Sequence, residues 1–216
     1  MERATERGMP TIGLGMAGRA TAMATLYLGV EYPWPEYFGY AARTAGALGA
    51  NVVMLATNGR IEEARRQLHE ILQWPPMGRG DPRGSVPTHL AHACVMLDER
   101  DTLLSLLPMV HREPPGGMGA HLPVASYVLG MAYAYLERPE ESRLHFQQAI
   151  DTCTTIRFRP ELALSHLGLA ELLLDHYPDQ HAEAMQHLDT AIAEFRDMKM
   201  QPSLERALRR KQTLGA

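Results

Sequence analysis

VASYVLGMAYAYLERPEESRLHFQQAI, residues 124–150, is the stretch whose reading decides the fold. Apolar and small residues recur along it at intervals of three and four, the period of a helix and not of a strand. It divides into two helices, about 122–136 and 139–156. The first carries Leu129, Gly130 and Tyr133; the second carries Ser142, Phe146 and Ala149. Residues 160–197 repeat this arrangement with Leu169, Ala170 and Leu173, then Ala184, Leu188 and Ala191. Ser142 and Ala184, Phe146 and Leu188, and Ala149 and Ala191 are each 42 positions apart, so one register holds through the second helix. Small residues at Gly130, Ala170, Ser142 and Ala184 let paired helices approach, and Tyr133, Phe146 and Leu188 fill the space around those contacts. One pair cannot bury its apolar stripe alone, so stacked neighbours must complete the core.

Working outward, Ala64, Leu68 and Ile71 in RIEEARRQLHEIL (60–72) occupy the same slots, whereas AHACVMLDERDTLLSLL (91–107) fits loosely. Proline and glycine clusters at 31–37, 75–87 and 112–123 punctuate the helices, with shorter breaks at 157–160 and 175–181. The helices between them fall into pairs: about 40–57 with 60–73, 87–98 with 100–110, 122–136 with 139–156, and 160–175 with 180–197. A last helix starts around Pro202, with Arg206, Arg209, Arg210 and Lys211 suited to the negative end of its dipole. The expected architecture is all-α: residues 1–38 as an N-terminal segment with one helix, about 17–30, and residues 39–216 as four antiparallel helix pairs with a C-terminal capping helix. The N-terminal end shows no comparable polar cap, which points to an upstream portion or a contact between copies.

Composition narrows the function classes. With 21 Lys and Arg against 25 Asp and Glu, a formal net charge of -4, the chain lacks the basic footprint of nucleic-acid recognition. No apolar run reaches the roughly 18–20 residues of a membrane span. MERATERGMP at the start is unlike a signal peptide, so a cytoplasmic location is expected. Cys94 and Cys153, the two cysteines, lie among apolar neighbours and read as buried, reduced thiols.

The slot residues resemble the tetratricopeptide repeat (TPR): Leu129–Gly130, Tyr133, Ser142, Phe146 and Ala149 fall on that motif's usual small and large positions. Spacings of about 38–42 make these long, irregular versions of a 34-residue unit. VASYVLGMAYAYLERPEESRLHFQQAI (124–150), RPELALSHLGLAELLLD (159–175) and EFRDMKMQPSLERAL (194–208) are also similar to the C-terminal helical arm of bacterial signalling ATPases. Those include LuxR/MalT-type transcriptional activators and ATPase-containing nucleotide cyclases. The resemblance implies pairs stacked as a right-handed solenoid whose first helices line a concave groove. It places Tyr127, Met131, Ala134 and Tyr135, and then Leu167, Glu171, Leu174 and Asp175, on that groove. It also implies a protein or peptide partner there, an upstream ATPase module among the candidates, and allows self-association. Tyr127 and Met131 stand where a chaperone-type carboxylate clamp needs basic and asparagine residues, which argues against acidic C-terminal peptides.

Motifs for catalysis are weak. Gly13, Gly15 and Gly18 match GxGxxG, but no βαβ unit surrounds them, and no GxxxxGK[ST] occurs. The ten histidines form no HExxH and the cysteines no CxxC; solvated helix faces and helix ends are the expected places for most of the histidines. There is no GxSxG. A non-catalytic scaffold without cofactor or metal is the expectation.

Overall fold

Five helix ends in the computed structural model share one turn. Gly59, Asp98, Glu137, Arg157 and Lys199 adopt left-handed φ values of 73°, 60°, 59°, 57° and 57°. The N–H of the residue after each reaches back five residues to a helical carbonyl, at 2.9 Å in every case: Arg60 to Leu55, Glu99 to Cys94, Arg138 to Tyr133, Phe158 to Cys153, Met200 to Phe195. This Schellman geometry satisfies carbonyls that a helix end leaves open and reverses the chain. Gly59, Asp98 and Glu137 lie 39 positions apart in succession, and Arg157 and Lys199 lie 42 apart. The repeat is thus written in the backbone as well as in the side chains.

The structure describes residues 24–30, 45–73, 86–112 and 124–214. Gly13, Gly15 and Gly18, the boundary at residue 38, the loop at 31–37 and most of the loops at 75–87 and 112–123 lie outside them, and of the first expected helix only 24–30 is described, helical over 24–28. The elements are α1 (Ala45–Thr57), α2 (Ile61–Leu72), α3 (Val86–Leu97), α4 (Arg100–Val110), α5 (Ala125–Tyr135), α6 (Pro139–Ile156), α7 (Arg159–His176), α8 (His181–Asp197) and α9 (Gln201–Leu214), with a 3-10 turn at Pro178–Gln180. No strand occurs among the described residues. Local chemistry explains the starts: Pro139 and Pro160 sit in first turns, where a missing N–H costs nothing, and Glu140, Glu141 and Glu161 complement the helix dipole there.

The chain divides into two units, residues 1–106 and 107–216. In the first, α1 packs on α2, and α3 packs on both. Ala64, Leu68 and Ile71 are buried as their slots require. Arg65 on α2 donates to the Leu97 carbonyl at 2.8 Å and pairs with Glu99 at 3.3 Å, tying α2 to the end of α3. Extensive backbone packing of α3 on α4 is not seen among the described residues, and this is the stretch whose side chains fit the repeat loosely.

In the second unit each helix packs on the next, from α5 through α9. The first helices of successive pairs also meet directly, α5 with α7 and α7 with α9. Every repeat slot is buried: Leu129, Gly130 and Tyr133 with Leu169, Ala170 and Leu173, and Ser142, Phe146 and Ala149 with Ala184, Leu188 and Ala191. The register continues one turn further, with Ile150 matched by Ile192 and Cys153 by Phe195. Ser142 does more than stay small: its hydroxyl donates to the Gly130 carbonyl at 2.8 Å, clasping α6 to α5. Phe146 packs against two glycines at once. A Cβ at Gly130 would lie 2.6 Å from its ring, and one at Gly168 2.5 Å, so its ring holds α5, α6 and α7 at their closest approach. Glu161, fully buried in α7, accepts the Val124 N–H at 2.6 Å and so caps the start of α5.

Candidate binding face of the first helices

The eight residues expected on the groove separate into three groups. Tyr127 and Leu167 are buried, 6% and 1% exposed, so they are core residues of this unit and not open surface. Both belong to first helices packed on their neighbours: the Tyr127 ring lies 6.3 Å from that of Phe146, and burial pushes its phenol pKa well up. Met131, Ala134, Tyr135 and Leu174 are partly exposed, on α5 and α7. Glu171 and Asp175 are occupied within the chain. Arg206 of α9 holds Glu171 through Nε at 2.8 Å and Nη2 at 2.5 Å, Arg210 pairs with Asp175, and Lys211 reaches Asp189 of α8 at 2.5 Å. Arg206, Arg210 and Lys211 of the basic cluster therefore have partners on α7 and α8, beyond the dipole role expected for them, while Arg209 faces Glu205 of its own helix at 3.9 Å. The signal available in the sequence was the separation of 35 positions in both arginine pairs, close to one repeat.

The histidines depart further from expectation. His89, His92 and His145 are buried, and His166 and His187 are half-buried, so solvated faces do not account for them. Burial pushes the His92 imidazole down to about 4, with His89 adding to it, and lowers His145. His145 stacks on Tyr133 with centroids 5.3 Å apart and planes 7° from parallel. The guanidinium of Arg138 also lies over the Tyr133 ring, at 4.9 Å, and the Tyr133 hydroxyl meets His111 Nε2 at 2.7 Å. His166 and His187 bring their Nδ1 atoms to 2.7 Å across α7 and α8. Of the histidines that crowd residues 176–187, His176 and His181 are exposed and only His187 joins this contact. Among the described residues no three His, Cys, Asp or Glu side chains converge as metal ligands.

A shallow cleft in the first unit is lined by Asn51, Met54, Leu55, Arg60, Glu63, Arg66, Gln67 and Glu70. Asn51 and Gln67 spend their amides on each other at 2.7 Å, and Arg60 is paired with Glu63. Its polar walls are thus largely satisfied from within. Among the described residues no helix is long and apolar enough to cross a membrane. Cys94 and Cys153 are free and buried, and burial pushes both thiols up to about 12.

Comparison with family models, with curated proteins and with solved structures finds no match for this chain.

Proposed function

We propose that this chain is a non-catalytic protein-binding scaffold, a TPR-like array of the kind that forms the helical arm of bacterial signalling ATPases and LuxR/MalT-type regulators. One observation carries the reading. In the second unit α5 meets α7 and α7 meets α9, whereas among the described residues α6 and α8 show no backbone packing of that extent and are joined by the Arg143–Glu183 pair at 4.0 Å. Helices that approach their counterparts directly lie on the tighter side of a curve, and helices that do not lie on the wider side. This supports a solenoid whose first helices form the inner, partner-facing layer. The partly exposed Met131, Ala134, Tyr135 and Leu174 give that layer an apolar contact surface on rigid elements. With Glu171 and Asp175 held by arginines, the partner it suits is a protein segment that offers apolar side chains and not a basic peptide.

Photo-crosslinking in cells tests this. A crosslinking residue at Tyr135 is expected to trap a defined protein, an ATPase module of the same signalling system on this reading, whereas one at Leu144 on α6 is not. Equal yields from both positions, or trapping from Leu144 alone, would place the partner surface elsewhere.

A further inference from the structure

Each ring of the His166–His187 contact sits on a different helix of the fourth pair, and the contact has a proton requirement that follows from geometry alone. With the two Nδ1 atoms 2.7 Å apart, one must carry a hydrogen and the other must present a lone pair. Two neutral rings satisfy this when their tautomers differ. His187 Nε2 faces Glu183 Oε1 at 3.9 Å, which favours a hydrogen on that nitrogen and leaves Nδ1 as the acceptor. His166 then donates from Nδ1. A single extra proton on His166 Nε2 leaves the bond intact. When both rings are charged, each Nδ1 carries a hydrogen, no lone pair remains between them, and two cations stand ring to ring with centroids 4.9 Å apart.

From this geometry we infer that the His166–His187 contact is a proton-operated latch of the fourth helix pair, closed while one of its facing nitrogens is bare and open when both rings are charged. The surrounding charges fit this role. On α8, Glu183 and Glu194 are the acidic groups that favour ring protonation, acting on His187 and His166 respectively. Both are engaged by arginines. Arg143 of α6 lies 4.0 Å from Glu183, and Arg159 at the start of α7 holds Glu194 at 2.7 Å. Desolvation therefore prevails: His166 is pushed down to about 4 and His187 is lowered as well. A folded value below the unfolded one of about 6.5 means that the contribution is complete above that pH. It is then lost progressively as pH falls from about 6.5 towards 4. Opening would also loosen α9, which rests on α8 and is ion-paired to Glu171 and Asp175 of α7. The latch thus controls the C-terminal end of the array.

Two measurements on the full chain decide the matter. In ring-nitrogen NMR, His166 and His187 are expected to show one protonated and one bare Nδ1 at pH 7.5, and to keep that pattern below pH 6. Titration of both rings at 6.5 or above, as in exposed imidazoles, would overturn the latch. In thermal melts at pH 7.5 and 5.0, the double variant His166→Gln/His187→Gln is expected to lose less Tm on acidification than the native chain, by roughly 3–5 °C. The exposed-site control His176→Gln/His181→Gln is expected to behave as the native chain does. An equal acid loss in the latch variant and the native chain would refute the proposal, and if the variant fails to fold the NMR titration stands alone.

Discussion

At Phe146 three helices meet, and the contact tolerates almost no added volume. Alanine at Gly168 would bring a Cβ within 2.5 Å of a ring that is itself only 2% exposed and already pressed against Gly130. Gly168→Ala is therefore expected to cost about 1–3 kcal/mol despite alanine's better helix propensity, measured by urea denaturation. In a Phe146→Leu background the same change is expected to cost clearly less, because Leu188 shows that a smaller side chain serves the corresponding slot. Gly130→Leu goes further and is expected to unfold the third pair; unchanged helicity and Tm would contradict the packing described. Gly130 was legible from its place beside Leu129 and Tyr133. Gly168 was not, since the repeat register puts Ala170 in the matching slot and only the approach of α7 to α6 shows why a glycine stands two residues earlier.

For the elements, the sequence reading succeeds where a pattern is local and fails where it depends on a neighbouring helix. The small and large slots of α2, α5, α6, α7 and α8 could be read because one helix face carries them. Partners for α9 were missed, since Arg206 and Arg210 find their carboxylates 35 positions away on α7, and only that spacing signalled them. The same limit applies to the expected groove residues: the helical face of Tyr127 and Leu167 was readable, but not that adjoining helices bury both. Half-exposed ion pairs such as those of α9 contribute modestly, roughly 0.2–1 kcal/mol each. Arg206→Ala/Arg210→Ala is accordingly expected to leave global Tm within a few degrees while speeding hydrogen exchange across residues 204–211. High salt should shrink the difference from the native chain, as screening weakens exposed pairs. Unchanged exchange would mean that the burial of Ala207 and its apolar neighbours holds the helix by itself.

For the molecule as a whole, acid acts in two separate windows. His92, His145, His166 and His187 are all held below their ordinary value by burial, so their contribution to stability falls away from about pH 6.5 downward. Glu63, lowered by the Arg60 side chain, and Glu141, lowered by a bond to its own backbone N–H and then by the Arg138 guanidinium, act only below the ordinary carboxylate range. The urea midpoint is expected to be flat from pH 8 to 7 and to decline between 6.5 and 5; a midpoint constant down to pH 5 would contradict the neutral buried imidazoles. Cys94 and Cys153, with thiols near 12, are expected to resist alkylation at pH 8 until the chain unfolds. The shared helix-ending turn has a practical consequence. Four of its five left-handed positions, Asp98, Glu137, Arg157 and Lys199, carry side chains where a bare backbone is preferred, and Gly59 shows that glycine is accepted. Glycine at each should raise stability by roughly 0.5–1 kcal/mol, the relief of backbone crowding exceeding the added freedom of the unfolded chain. The set offers a way to heat-harden the protein, and to obtain sturdier modules for engineered assemblies, without altering a single contact of its interior.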